Sequence, residues 1–216
     1  TDEIILIVIR GTSEMWRDGL RDLDAFQVPF EEGVGTVHRG FYEAAQVAKK
    51  FAINYLEKFY AGQKLLICGH SLGGAIALIL SEMLRRRSDG YDILLYTYGA
   101  PRAGDSTFVE AAKPLVHHRM VNHNDPVPSV PAPWMKFKPS EFDYGAAIRF
   151  KNVPAEFIAY VAGMINMDAD PYAHHGQVQH FMRVNFGGNE VSHILWVPGC
   201  DTLAEHAACS MALDQY

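Results

Sequence analysis

Cysteines, basic runs and long apolar runs are scarce in this chain. Three cysteines among 216 residues do not make a disulfide framework. No apolar run approaches the length of a membrane span. The longest basic run is Arg85-Arg86-Arg87, and the formal net charge is −6, so nucleic acid is not an expected partner. Hydrophobic residues make up 49% of the chain, which fits one large domain, residues 1–216, with a substantial core.

The sequence begins at Thr1, close to a predicted strand. Thr1 has no methionine before it, and by Ile4 the chain is already in a predicted buried strand. We therefore expect a fragment, a processed chain or one domain of a larger protein, in which a missing N-terminal part would be a partner of this domain.

Residues 64–84 are the centre of the sequence. A short apolar run leads into Gly69-His70-Ser71-Leu72-Gly73, and about three turns of strong helix formers follow. This is the G-x-S-x-G motif in the strand, turn and helix context of a nucleophile elbow. The glycines are expected because side chains there would collide with the neighbouring strand and helix. We predict that Ser71 is a nucleophile and that the N–H of Leu72 faces an oxyanion at the helix N-terminus.

The rest of the chain alternates strands and helices. Residues 4–9 predict a central strand covered on both faces, and residues 93–98 and 117–122 predict further strands. A long helix is predicted from Phe41 to Phe59, with a single apolar stripe. This alternation indicates an α/β fold with a mostly parallel central sheet and helices on both faces.

Two polar residues follow predicted strands. Thr12 comes at the end of the first strand, where its N–H can serve as a second oxyanion donor beside that of Leu72. Asp125 follows the strand predicted at 117–122, which is the second predicted strand after the elbow strand. The order of serine followed by aspartate is that of α/β hydrolases. Taken alone, each residue also fits an ordinary turn.

Two segments are candidates for covering the site. The spacing in residues 13–24 predicts a charged amphipathic helix, which fits either a flap or a surface helix. Residues 134–170 form a candidate cap insertion, in which 154–167 is apolar around nearly its whole circumference. Such a helix either fills the core or meets lipid, and both interpretations stay open.

The chain resembles the class 3 lipases, the group that includes fungal triacylglycerol lipases. The segments that carry the resemblance are 9–12, 37–41, 69–74, 98–102, 121–128 and 172–176, followed by a terminal helix with His206. The resemblance implies an α/β-hydrolase fold with Ser71 as nucleophile, Asp125 orienting the base, and Thr12 with Leu72 as the oxyanion hole. It implies His206 as the base, with His180 as the alternative, and places the lid at 13–24.

The implied activity is hydrolysis of lipid carboxylic esters through a Ser-Asp-His triad, with triacylglycerol as substrate and transient contact with a lipid interface. The alternatives are phospholipase A1 activity and a non-catalytic binding domain on the same fold. This chemistry needs no metal or organic cofactor. Three departures from the family stand out: the N-terminal helix and first strands are absent, the interval between Asp125 and 172–176 is long, and the lid position is highly charged.

Overall fold

The computed structural model describes residues 3–11, 26–87, 90–122, 125, 127–129, 172–186 and 189–195. In chain order its elements are β1 (Ile4–Ile9), β2 (Gln27–Pro29), β3 (Thr36–His38), α1 (Arg39–Phe59), β4 (Lys64–His70), α2 (Leu72–Arg87), β5 (Ile93–Tyr98), β6 (Gly104–Asp105), α3 (Ser106–Ala111), β7 (Val116–Asn122), a 3-10 turn (Val127–Ser129), β8 (Tyr172–Ala173), β9 (Gln177–Phe186) and β10 (Asn189–Leu195).

The main sheet of the described ranges has the strand order β1-β4-β5-β7-β9-β10. Its first five strands are parallel, with Ile5 beside Leu65 and Leu65 beside Ile93, and β10 runs antiparallel to β9. The short strands β2, β3, β6 and β8 form a second, antiparallel sheet. The predicted α/β-hydrolase fold and its mostly parallel sheet are confirmed. In a parallel sheet, the carboxyl ends of β1, β4, β5 and β7 meet at one edge.

Helix α2 forms the core with one face of the main sheet. Leu65 and Ile67 of β4, Leu95 of β5 and Leu80 of α2 are completely buried. Residues facing the helix alternate with residues facing away along β4 and β5, which is the two-residue period of a strand. This packing holds the start of α2 directly against the end of β4, where Ser71 lies.

A buried carboxylate lies near the C-terminal end of α2. The Glu82 side chain is fully buried, and it accepts hydrogen bonds from Arg85 Nε at 2.7 Å, Arg85 Nη2 at 2.8 Å and Arg86 Nε at 2.6 Å. Arg85 also donates to the Ala111 carbonyl at 3.1 Å. Two of the three arginines of the basic run therefore bond to a carboxylate inside the protein, and a buried carboxylate requires such partners.

The prediction that residues 4–9 form a central strand covered on both faces is wrong. β1 is the edge strand of the main sheet in the described residues, and Leu6 and Val8 are 58% and 63% exposed. The alternate residue Ile5 is buried against the core. A continuous apolar run suits a buried central strand, but it does not exclude a position at the edge of the sheet.

Several sequence predictions fall on other parts of the chain. The lid position at 13–24, the candidate cap at 134–170, Thr12 and His206 lie outside the described residues. Among the helices of the described ranges, none is long and apolar enough to cross a membrane.

Candidate active site

Ser71 stands between the end of β4 and the start of α2 with a left-handed backbone, at φ +55°. Such a conformation costs a non-glycine residue about 1–3 kcal/mol, so the surrounding structure must hold it in place. The Ser71 N–H donates to the Tyr98 carbonyl at 2.9 Å, and the Ser71 carbonyl accepts from the Gly74 N–H at 2.8 Å. This is the strained turn that the G-x-S-x-G motif predicts.

Two glycines make the turn sterically feasible. A Cβ on Gly69 would lie 2.2 Å from the Gly73 carbonyl oxygen, and a Cβ on Gly73 would lie 2.3 Å from the Ile9 carbonyl oxygen. In both cases the obstacle is backbone, which cannot rotate away as a side chain can. β1, β4 and α2 approach each other this closely only because these positions carry no side chain.

The structure describes one of the two predicted oxyanion donors, Leu72, but not the other, Thr12. Leu72 is the first residue of α2, so its N–H belongs to the free N–H groups at the helix start. Thr12 lies outside the described residues, but Gly11 before it packs on the elbow. A Cβ on Gly11 would be 2.6 Å from the His70 carbonyl oxygen and 3.3 Å from Ser71 Cβ.

Asp125 lies just beyond the end of β7, near the same edge of the sheet. Its N–H donates to the Asn122 carbonyl at 2.8 Å, and its Oδ1 accepts from the Val127 N–H at 2.9 Å. Burial raises the pKa of the Asp125 carboxyl above its ordinary value, while the hydrogen bond from Val127 and the charge of His70 oppose that rise. A nearby cation would stabilise the ionised form of this carboxylate.

Gly99 lies between Asp125 and the elbow. It follows Tyr98, whose carbonyl accepts the Ser71 N–H, and a Cβ on Gly99 would lie 2.4 Å from Asp125 Oδ2. The structure therefore brings Ser71 and Asp125 to opposite sides of the end of β5. Sequence reasoning did not give Gly99 a role, although a glycine directly after a buried strand signals a close approach.

Five histidines of the described residues have a hydrogen-bond partner that the structure assigns. His174 Nε2 donates to the Pro128 carbonyl at 2.7 Å, and His118 accepts from Gln179 at 3.1 Å. His38 caps α1, and burial lowers its pKa to about 4. The predicted base His206 and the side chain of the alternative His180 are outside what the structure describes.

The remaining two, His117 and His175, form a buried chain of hydrogen bonds that the sequence did not reveal. His175 Nε2 donates to the Ala112 carbonyl at 2.9 Å, which leaves its Nδ1 free to accept from His117 Nδ1 at 3.0 Å. His117 Nε2 then accepts from the Thr97 hydroxyl at 2.8 Å. This assignment requires both rings to be neutral, since each neutral ring has one donor and one acceptor.

The histidine pair predicts instability in acid. Burial first, then neighbouring positive groups, lower the pKa of His117 well below 6.5, and burial lowers the pKa of His175. The groups around the pair are Arg119 and His118 of β7 and Glu82 and Arg85 of α2. The unfolded chain binds more protons below about pH 6.5, so the free energy of unfolding falls as the pH drops through that value.

Denaturant unfolding between pH 8 and pH 5 tests this prediction. His175→Gln should lose about 1–3 kcal/mol at pH 8 and then show a shallower decline towards pH 5 than the unmodified chain. The matched control is His174→Gln, whose ring bonds to the Pro128 carbonyl and is not among the groups that shift the pKa values of the pair, and it should keep the steep decline. An equally steep decline in His175→Gln would contradict the prediction.

No three histidine, cysteine or acidic side chains are grouped to hold a metal ion within the described ranges. The arrangement there offers a serine on a strained backbone, a helix N-terminus beside it and a half-buried carboxylate. These groups are among those that a nucleophilic acyl-transfer site needs.

The fold and the serine elbow define an α/β hydrolase. Residues 6–135 match the family Lipase (class 3), and the chain belongs to that family. The resemblance that the sequence motifs indicated is thereby confirmed.

Three known proteins illustrate the relationship. Toxin TseL of Vibrio cholerae is 36% identical over 173 residues, which are 77% of this chain and 25% of the toxin. The lipase of Rhizomucor miehei is 35% identical over 140 residues, 61% of this chain and 38% of that lipase. Phospholipase A1 PLIP2 of Arabidopsis thaliana is 32% identical over 136 residues, 56% of this chain and 18% of its own length.

A solved structure of the Rhizomucor miehei triacylglyceride lipase aligns with a TM-score of 0.63 at 24% identity, over 95% of this chain and 70% of that one. This likeness shows the fold. The chain spans only a quarter to about two-fifths of the length of the first two relatives that it matches in sequence.

Proposed function

We propose that this chain is a serine hydrolase that cleaves carboxylic ester bonds of lipids. The observation that carries the proposal is Ser71, held at φ +55° between β4 and α2 with a helix N-terminus beside it. Strain of this kind persists where the structure over-determines it, and it concentrates at active sites. Membership of the class 3 lipases supports a lipid ester as substrate.

The proposed mechanism is acyl transfer in two steps. His206 removes the proton from Ser71 as its Oγ attacks the ester carbonyl, and the N–H groups of Thr12 and Leu72 stabilise the tetrahedral oxyanion. The intermediate expels the alcohol, which takes the proton from His206. Water then attacks the acyl-enzyme with His206 as base, releasing the fatty acid and restoring Ser71. Asp125 holds the imidazole in the required tautomer.

Labelling with a fluorophosphonate probe tests the nucleophile. The probe phosphonylates an activated serine, and digestion with mass spectrometry locates the adduct. We expect one adduct, on Ser71, and none in Ser71→Ala or in heat-denatured chain. The fully buried Ser81 on the same helix serves as an internal control, since its hydroxyl donates to the Ala77 carbonyl at 2.7 Å. A folded chain that takes no label would overturn the proposal and favour a non-catalytic binding domain.

Phospholipase A1 activity is the second candidate, because one relative carries that name. The two activities share the same acyl-transfer chemistry and differ in the substrate. Rates on emulsified triglyceride, phospholipid vesicles and a soluble short-chain ester, measured side by side, decide between them. Triglyceride hydrolysis without phospholipid hydrolysis supports the lipase, and the reverse supports the phospholipase.

The candidate cap at 134–170 adds contact with a lipid interface to the proposal. The helix predicted at 154–167 is apolar on nearly all sides and follows Asp125 in the chain. We predict that Phe157→Asp with Ile158→Asp lowers the rate on emulsified or vesicle substrate at least about 10-fold, because charge opposes entry into the acyl layer. Hydrolysis of a soluble short-chain ester should persist.

The measurement is the ratio of the two rates, with the thermal transition as the check on folding. If 154–167 is a core element, two buried carboxylates destabilise the domain and both activities disappear with the transition. A folded double variant with full interfacial activity would contradict the cap.

A further inference from the structure

Gly99 lies against the Asp125 carboxylate. Its backbone has φ +55°, and its N–H donates to the Met120 carbonyl of β7 at 2.9 Å. A Cβ built at Gly99 would be 2.4 Å from Asp125 Oδ2 and 3.6 Å from Asp125 Cγ. Within the described residues, and apart from the adjoining residues Tyr98 and Ala100, no other atom lies within 4 Å of that Cβ. The space that a side chain would need is the space that this carboxylate occupies.

The other side of the carboxylate is held by the chain itself. Oδ1 accepts the Val127 N–H at 2.9 Å, and the Asp125 N–H is bonded to the Asn122 carbonyl at 2.8 Å. One oxygen is thus fixed by a hydrogen bond while the other rests on the bare Cα of Gly99. We propose that Gly99 is a positioning residue for the catalytic aspartate, and that its missing side chain sets where Asp125 Oδ2 can stand. This inference rests on the proposed function.

Gly62 is a control position, because its glycine is required by the backbone conformation and not by a neighbouring atom. It has φ +97°, and among the described residues, the adjoining ones aside, no atom would lie within 4 Å of a Cβ there. Gly62→Ala therefore introduces backbone strain without a collision. Gly99→Ala introduces backbone strain together with a contact that can be relieved only by moving the carboxylate or the end of β5. Comparing Gly99→Ala with Gly62→Ala therefore separates the effect of the steric contact from the effect of backbone strain.

We expect Gly99→Ala to lower kcat on a soluble ester on the order of 10²–10⁴-fold with little change in KM, because a misplaced aspartate no longer holds the base in its tautomer. The acidic limb of the pH profile of kcat/KM should move to lower pH, since a base without its carboxylate partner has a lower pKa. Gly62→Ala should keep both kcat and the pH profile, even if it loses similar stability.

A double-mutant cycle with Asp125→Ala completes the test. In that background the carboxylate is gone, so adding Gly99→Ala should cost no further activity. A further loss of the same size as in the intact background overturns the proposal, and so does a fully active Gly99→Ala. If Gly99→Ala alone does not fold, the double variant should regain the thermal transition, and failure to regain it also overturns the proposal. Full activity in Asp125→Ala alone would instead remove Asp125 from the proposed function.

Discussion

Ser71→Ala is expected to lose ester hydrolysis on the order of 10⁴–10⁶-fold while the chain remains folded. The hydroxyl is the attacking atom of the proposed mechanism, and its removal leaves no pathway through an acyl-enzyme. Ser71 is only 8% exposed, but the substitution removes a single oxygen atom and leaves no large cavity. The measurement is the initial rate on a short-chain ester, with circular dichroism and the thermal transition as checks on the fold.

Ser71→Gly is the matched companion to this variant. Without a hydroxyl, this variant should be as inactive as Ser71→Ala. Glycine adopts φ +55° without the penalty that alanine bears there, so Ser71→Gly should be more stable than Ser71→Ala by about 1 kcal/mol. Such a pairing of lost activity with gained stability is the signature of a strained functional residue. Unchanged turnover in either purified variant would remove Ser71 as nucleophile.

The elbow could be predicted because its sequence signature is local. Gly69, Ser71 and Gly73 fall within five residues, and the strand before them and the helix after them are continuous in sequence. The obstacles that require glycine are the backbone of the same motif and of the neighbouring β1. The G-x-S-x-G motif between a strand and a helix therefore predicts the geometry of the turn.

The exposure of β1 and of α1 could not be predicted in the same way. The apolar stripe of α1 has the correct spacing, yet Phe41, Ala45 and Leu56 are buried while Phe51 and Phe59 are 73% and 57% exposed. Spacing indicates which residues share a side of a helix, but which part of that side is covered depends on α2 and the second sheet. That information comes from parts of the chain remote in sequence.

The buried histidine pair was missed for a related reason. His117 and His175 are 58 residues apart, and each looks like an ordinary strand or loop histidine in its own segment. Asp125 was predicted because chain order and its place after a strand restrict it to one edge of the sheet. The position of Gly99 against Asp125 depends on the register of β5 and β7, which no local motif specifies.

His206→Ala is expected to match the loss seen in Ser71→Ala, since the members of a catalytic triad act as a unit and their effects do not add. The double variant should therefore be no slower than either single variant. Three other histidines already have hydrogen-bond partners in the described residues. His117 and His175 bond to each other, and His174 bonds to the Pro128 carbonyl.

His174→Ala is the matched control for the base. It removes one histidine and its 2.7 Å hydrogen bond to the Pro128 carbonyl, so it should cost about 1 kcal/mol of stability and keep most of the activity. His180→Ala tests the alternative base in the same assay. The base is assigned wrongly if His206→Ala retains turnover while a folded His180→Ala or His174→Ala is inactive. A loss confined to His206→Ala would complete the proposed triad with Ser71 and Asp125, because neither the nucleophile nor the carboxylate can move the proton alone.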